Sequence, residues 1–446
     1  MSALDRHPTV VSVREKTAQS AHTAPSPLDA GWLRRICLES GADDVGFVSI
    51  DRPELDAERK HILKASPAAR TLVSFVCRMN REPIRSPARS VANAEFHRSG
   101  DRANEVAHRI VGLLEARGVR AMNPAIGFPM EMDAFPGRIW VISHKPVAVA
   151  AGLGRMGIHR NVIHPVFGNF ILLGTVAVAA PVTLESRPLD YNPCLECRLC
   201  VAACPVGAIG TDGSFNVSSC YTHNYREFMG GFSDWVESVV ASHSVPDYRS
   251  KVSLGETASL WKSLSFGANY KAAYCMAVCP AGEDVIGPFL GDRKRYLEDV
   301  VRPLQDKAET VYVTPGSDAE AHVAKRFPHK RVKRVGNGLR VTSIAAFLEG
   351  LPRVFQRKSA SGLNATYHFT FTGAEERQAT VVIREGTIRV TDGHDGEADL
   401  RVAADTQTWL AILAREKGIA LALLRRKIRL KGSPRLLLAF RRSFAA

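Results

Sequence analysis

The sequence predicts an α/β domain, a cysteine-rich module and a C-terminal α+β domain, in that order along 446 residues. Three observations carry this. Strand-like and helix-like stretches alternate from Leu28 onward. Seven of the nine cysteines fall between Cys194 and Cys279. After residue 341, short alternating strands give way to apolar helices. The boundaries read as a polar, Ser/Thr/Ala/Pro-rich disordered segment over 1–27, an α/β cofactor or substrate domain over 28–185, the cysteine module over 186–300, a linker or small strand unit over 301–340, and the last domain over 341–446.

In the first domain, Leu28 to Ser40 has the spacing of an amphipathic helix, and Asp43–Ile50 and Arg70–Cys77 read as strands. Ala103 to Arg117 is helical with Gly118 as its C-cap, and Trp140 to Ile142 begins another strand. Then comes Gly152-Leu-Gly154-Arg-Met-Gly157-Ile-His159-Arg160-Asn161. A Gly-x-Gly-x-x-Gly for a dinucleotide should open a helix and lead to an acidic residue about twenty positions on. Here His-Arg-Asn comes next, so the glycines read as places where backbone approaches a ligand or a cluster closely.

The cysteine module begins Cys194-Leu-Glu-Cys197-Arg-Leu-Cys200-Val-Ala-Ala-Cys204-Pro205, and Cys220 lies further on. Steps of three, three and four before proline form the ligand run of a two-cluster bacterial ferredoxin, whose fourth cysteine serves the other cluster. Cys275-Met-Ala-Val-Cys279-Pro280 is the second half. By that exchange, Cys194, Cys197, Cys200 and Cys279 hold one [4Fe-4S] cluster, and Cys204, Cys220 and Cys275 hold the other. A regular second run would carry a further cysteine where Ala272 stands. Three outcomes are open for that iron: a non-cysteine ligand, a three-iron cluster, or an exchangeable site for substrate or sulfide. Tyr221 and His223 are candidate fourth ligands, with local packing as the competing reading.

Residues 301 to 340 show turns at Thr314–Ser317 and Gly336–Gly338. Strands are expected at Ala365–Gly373, Ala379–Arg384, Thr387–Val390 and Asp399–Val402. Helices are expected over Thr408–Ala414 and Ile419–Leu424, and Lys427-Ile-Arg-Leu-Lys-Gly432 leads into a last helix from Arg435 to Phe444.

Composition narrows the setting. Cys37 and Cys77, outside the cluster set, sit in apolar-periodic stretches and read as buried thiols. Nothing suggests a disulfide framework, so a reducing, cytoplasmic compartment is expected. No stretch of about twenty apolar residues would span a membrane. The N-terminus lacks an apolar signal core, and the stretch after Arg34-Arg35 is too short and polar for an export signal. The formal charge is +14, and from Ala411 onward ten Lys or Arg face a single Glu416. Such charge suits nucleic acid, an anionic membrane surface, an acidic electron donor, or simply solvated faces.

The order of motifs over residues 30 to 300 resembles the epoxyqueuosine reductase and reductive dehalogenase superfamily. The resemblance rests on Gly152, Gly154, Gly157, Pro165, Gly168, Gly174 and the cluster cysteines. It implies a nitroreductase-like N-terminal fold that binds base-off cobalamin, with Gly152, Gly154, Gly157, Arg160 and Asn161 as cofactor-binding candidates and two clusters feeding electrons to cobalt. The chain departs from the pattern in two ways. The family's Asp-Ser/Thr-Ala-Pro-Val segment is here Ser143-His144-Lys145-Pro146-Val147, so the acid is replaced by Ser143. His144, Lys145 and His159 are then the candidate proton donors. The helical repeats of the tRNA-modifying members are missing too. Both differences argue against a nucleic-acid partner.

Residues 341 to 446 resemble the sterol carrier protein 2 fold, in the Tyr367-x-Phe369 strand and the Lys427-Ile-x-Leu-x-Gly432 before the final helix. That resemblance implies a tunnel for an apolar ligand; a filled core used for docking or gating is the alternative. Together the resemblances imply a reductase. It would take single electrons from a low-potential ferredoxin- or flavodoxin-type donor and reduce a small organic or lipid-like substrate. Two alternatives stand beside it: sulfur transfer or Lewis-acid chemistry at an open iron without a corrinoid, and a non-catalytic electron-transfer or lipid-binding partner.

Overall fold

The computed structural model describes residues 4–17, 27–124, 140–336, 341–414 and 416–444. Residues 4–17, expected to be disordered, are helical: a 3-10 turn at Leu4–Arg6 precedes α1 (Pro8–Thr17). The rest of the 1–27 segment, and the turn at Asn337–Gly338, lie mostly outside the described residues.

The first domain is an antiparallel sheet with helices on both faces. α2 (Ala30–Glu39) is capped by Asp29, whose carboxylate accepts from the Trp32 N–H at 2.6 Å. β1 (Asp44–Ser49), α3 (Asp56–Ala65), β2 (Thr71–Arg78), α4 (Arg81–Arg85), α5 (Arg89–Glu115), β3 (Ala121–Met122), α6 (His144–Ala150), β4 (Arg155–Met156), β5 (Val162–Ile163) and β6 (Ile171–Val178) come after it. The sheet order is β1-β2-β6-β3. Alternation along β2 sends Val73, Phe75 and Cys77 into one core with α2 and α5, and Leu72 into another with Val147 and Ala150 of α6. Cys37 and Cys77 are buried, and burial pushes their thiols up to about 12 and about 11.

Two expectations change here. Trp140 to Ile142 forms no strand; Ile142 is buried with Leu55 and Ile62 instead, so its apolar character serves the core rather than a ladder. The helix expected from Ala103 begins at Arg89. Its first half breaks the apolar period because Asn93 and Glu95 are buried as hydrogen-bonding groups. Asn93 exchanges bonds with the Tyr270 backbone, and Glu95 accepts from the Asn80 N–H at 2.7 Å.

The cysteine module holds α7 (Leu199–Ala203), α8 (Val217–Asn224), an inserted group α9 (Gly231–Val240), α10 (Val245–Lys251) and α11 (Leu254–Phe266), then α12 (Tyr274–Ala277). Short helices α13 (Gly287–Gly291), α14 (Arg293–Tyr296) and α15 (Arg302–Gln305) lead to a parallel β-α-β unit of β7 (Thr310–Val313), α16 (Asp318–Arg326) and β8 (Arg331–Arg334). Val311, Val313, Val323 and Phe327 share a core with Cys200, Cys204 and Tyr274, so residues 310–334 belong physically to the cysteine module. Glu309 ties them further, accepting from the Tyr274 hydroxyl at 2.6 Å and the buried Lys330 ammonium at 2.8 Å.

The last domain has α17 (Ile344–Val354), β9 (Ala365–Thr372), β10 (Arg377–Arg384), β11 (Thr387–Asp392), β12 (Leu400–Asp405), α18 (Thr406–Leu413), α19 (Ile419–Leu424), β13 (Ile428–Gly432) and α20 (Pro434–Arg442). The sheet order is β11-β10-β9-β12-β13, with β9 and β12 parallel. Tyr367, Phe369 and Phe371 share one face of β9 and meet Phe347, Trp409 and Phe440 at ring separations of 5.0 to 6.3 Å. The described side chains thus fill much of the space between sheet and helices. Asp318 joins this domain to the β-α-β unit, its carboxylate accepting from the Lys358 and Ser359 N–H groups.

Gly168 is where the first domain meets the cysteine module. Its φ is +63°, and a Cβ there would drive into the Ala281 carbonyl. We expect Gly168→Ala to cost about 1–3 kcal/mol from backbone strain alone, read as a lower thermal midpoint. An unchanged midpoint would show that the two units are not seated through this contact.

Candidate functional site

Cys194, Cys197, Cys200 and Cys279 line one cavity, together with Ile158, His159, Ile163, Pro280 and Ala281. The backbone turns sharply to bring the first three there, with Glu196 and Arg198 at φ values of +53° and +57°, unusual for non-glycine residues. Such turns expose amides to an anion. The Leu199 N–H faces the Cys197 sulfur, and the Ala281 N–H and Asn169 side chain face that of Cys279. Burial pushes the Cys279 thiol up to about 12 and the Cys200 thiol higher still, aided by the neighbouring sulfurs.

Cys204, Cys220 and Cys275 form a second group. Burial, then the fields of Cys275 and Cys204, push the Cys220 thiol far up; Cys275 rises to about 11 through burial and Cys204. The Ala208 N–H donates to the Cys204 sulfur at 3.3 Å. Ala272, at the missing cysteine's position, is buried and offers no ligand. Among the described residues no three His, Cys, Asp or Glu side chains close on a single metal ion. A cubane gives each sulfur its own iron and so holds its ligands further apart. Four thiols around one cavity, three more grouped beside it, and amides aimed at the sulfurs fit that donor set.

The two alternative fourth ligands differ in their surroundings. The His223 Nδ1 accepts from the Tyr312 N–H of β7 at 3.4 Å, and the charges it feels are Glu309, Lys271, Lys330 and Lys307. The Tyr221 hydroxyl is buried without a partner. Tyr225, which the sequence did not single out, is the aromatic side chain that feels Cys220 and Cys275.

Of the first domain's candidates, Lys145 and Asn161 converge on this second group, while His159 lines the first cavity beside them. The Lys145 Nζ donates to the Arg160 carbonyl at 2.7 Å and to Asn161 Oδ1 at 3.0 Å. The Asn161 Nδ2 lies 3.9 Å from the Cys275 sulfur. Burial lowers the Lys145 pKa, against the pull of Cys275 and Cys220. His159 accepts from the Asn161 N–H at 3.1 Å, its Nε2 lies 3.4 Å from Asn169, and burial pushes it down to about 4. Ser143 and His144 stand apart. Ser143 precedes α6 and makes no side-chain cap. His144 Nδ1 is 2.8 Å from the Thr175 hydroxyl, and its Nε2 is buried without a partner. Arg160 turns out to the Gly213 carbonyl. Sequence reasoning also missed Asn169, fully buried between His159 and Cys275, and Arg89, whose buried guanidinium leaves Nε and Nη2 unpartnered while feeling Cys275. Lone polar residues of this kind carry no spacing signal.

The glycines are filled by the chain itself. A Cβ at Gly152 would meet the Arg187 carbonyl, at Gly154 the Ile163 carbonyl and at Gly157 the His159 ring. They close the β4–β5 hairpin and seat His159. At these three positions the missing Cβ thus answers to the chain's own packing.

An α/β domain bearing a lysine–asparagine contact to a seven-thiol module, followed by a sheet-and-helix domain, defines the class: a thiol-rich multidomain protein of mixed α/β architecture. Residues 350–445 match the SCP-2 sterol transfer family. The chain is also similar to epoxyqueuosine reductases: 29% identical over 105 residues to that of Vibrio cholerae (24% of this chain, 27% of the relative) and 36% over 80 residues to that of Staphylococcus aureus (18% and 20%). These matches span about a fifth to a quarter of the relatives' length. Among solved structures, epoxyqueuosine reductase from Streptococcus thermophilus aligns at 15% identity with a TM-score of 0.35, covering 60% of this chain and 74% of that one. A catabolic reductive dehalogenase aligns at 16% and 0.37, covering 67% and 37%. The chain thus joins a region similar to epoxyqueuosine reductases to an SCP-2-like region. Among the described residues no helix is long and apolar enough to cross a membrane. The comparisons lend no support to the expectation against a nucleic-acid partner.

His144 gives a pH prediction. Burial lowers its pKa from 6.5 to about 4, so the unfolded state binds the extra proton between those values. Stability is therefore undiminished above about pH 6.5 and falls as pH drops toward 4, by up to about 3 kcal/mol from this group. His144→Gln should flatten the slope of urea-unfolding stability over that window; an unchanged slope would contradict the assignment.

Proposed function

We propose that the chain is an iron–sulfur reductase, cytoplasmic, that passes single electrons from a ferredoxin- or flavodoxin-type donor to the first domain, where an organic substrate is reduced. The observation that supports this best is the convergence of Cys279 on Cys194, Cys197 and Cys200 in one cavity, with the Cys204, Cys220 and Cys275 group beside it. When bound, the clusters supply one-electron chemistry at low potential. The chain's own residues do the rest. Cys194, Cys197, Cys200 and Cys279 hold the first cluster; Cys204, Cys220 and Cys275 hold the second. Asn161, held by Lys145, directs its amide at the Cys275 sulfur. His159 and Asn169 close the space between the two groups and exclude water. On this reading residues 28–185 are the reducing domain, with the nitroreductase-like fold and cobalamin that the resemblance implies. Residues 186–340 are the electron-entry module, and 341–446 present or gate a small or lipid-like substrate.

A second reading draws on Ala272. With three thiols around the second cluster, one iron is free to take an exogenous ligand, which would suit sulfur transfer or Lewis-acid chemistry without a corrinoid.

Anaerobic reconstitution with subsequent EPR, iron, sulfide and cobalt analysis separates these. Cys200→Ser should remove one cluster signal and Cys220→Ser the other, each leaving its neighbour. Loss of both signals in either variant, or a single cluster in the parent protein, would defeat the assignment. Uptake of added cobalamin to one equivalent supports the corrinoid reductase; two clusters with no uptake, and a second-cluster spectrum that changes with added sulfide, support the open-iron chemistry.

A further inference from the structure

Residues 417–442 contain nine Lys or Arg and no Asp or Glu. They build α19, β13 and α20, and β13 is the outermost strand of its sheet. Arg425, Arg426 and Lys427 are exposed in the turn after α19. Arg429 and Lys431 are exposed on β13, opposite Ala403 and Arg401 of β12, so the outward face of this edge is cationic too. Arg435, Arg441 and Arg442 are exposed on α20. None of the nine forms an ion pair with a described carboxylate.

Three leucines stand among these cations. Leu421, Leu424 and Leu438 are 47%, 80% and 56% exposed. Leu421 and Leu424 are three residues apart on one face of α19; Arg435, Leu438, Arg441 and Arg442 share one face of α20 by the same spacing. The leucines are not left over from a loose interior. Ala422, Ile428, Leu437 and Phe440 of the same elements are buried in the aromatic core. Side chains on the opposite flank are thus committed to solvent or to a partner.

The partner must offer anionic groups and an apolar phase at one place. A phosphate backbone satisfies the arginines but gives aliphatic leucine tips nothing to enter. An anionic bilayer gives both, with headgroup phosphates for the cations and the acyl boundary for the leucines. We infer that α19, β13 and α20 form a peripheral docking surface for an anionic phospholipid bilayer. Each cation beside such a surface is worth about a fivefold gain in partition, and each leucine that leaves water about tenfold. The combination gives reversible surface binding.

Co-sedimentation of the full chain with vesicles tests this. The chain should bind mixed phosphatidylcholine–phosphatidylglycerol vesicles, bind phosphatidylcholine alone far more weakly, and release in high salt. Arg425→Glu/Arg426→Glu should weaken binding by about 30-fold or more, and Leu421→Ser/Leu424→Ser by about 100-fold, with thermal midpoints unchanged because all four side chains are exposed. Leu424→Ser alone should show the same direction. Failure to bind the anionic vesicles overturns the inference. So does a leucine variant that binds as tightly as the parent, or a duplex RNA that displaces the vesicles and is insensitive to the leucines, since charge alone would then explain the surface.

Discussion

Seven thiols gathered in two adjoining groups, three of them buried and four half-buried, form the constraint on which the rest of the structure depends. A neutral thiol is cheap to bury, but a thiolate in a dry site must be met by cations and donors. The raised thiol pKa values express that cost: Cys275 and Cys279 stand at about 11 and about 12, with burial the leading cause in each. Iron would supply the cations. The protein's part is the second layer: N–H groups at Cys197, Cys204 and Cys279, the Asn161 amide at Cys275, and the half-buried Lys145 and buried Arg89 as positive charge near the group that has only three sulfurs.

Much of the architecture serves that need. The Gly168–Ala281 approach seats the first domain against the Cys279 segment. Glu309 couples the helix bearing Cys275 to the β-α-β unit, which shares the thiols' core. Asp318 then fixes the last domain to that unit. Each step joins units that are far apart in sequence, so the cysteine module acts as the hub between a domain built around an antiparallel sheet and a lipid-carrier-like one.

What the sequence made legible was whatever chemistry or periodicity forces into a regular spacing. The cysteine run is legible because a cluster dictates its steps. Tyr367, Phe369 and Phe371 are legible because a strand buries alternate residues. The antiparallel order of the first sheet was not, since alternating helices and strands suit several topologies. Nor was the start of α5, where buried Asn93 and Glu95 interrupt the apolar period for the sake of tertiary hydrogen bonds. Within the site, Asn161 and Lys145 were named from a resemblance, but their joint contact with Cys275 arises only in three dimensions. Tyr225, Asn169 and Arg89 had no sequence signal. Tyr221 and His223 were chosen for adjacency to Cys220, and what each one touches is set by tertiary packing that adjacency does not show: the Tyr221 hydroxyl is buried without a partner, and His223 accepts from the Tyr312 N–H.

The central claim is that the seven cysteines hold two separate iron–sulfur clusters. Anomalous diffraction at the iron absorption edge, from crystals grown without air, tests it most directly. The account predicts two compact iron peaks, one enclosed by Cys194, Cys197, Cys200 and Cys279 and one beside Cys204, Cys220 and Cys275. A single peak, or iron away from either thiol group, would contradict it.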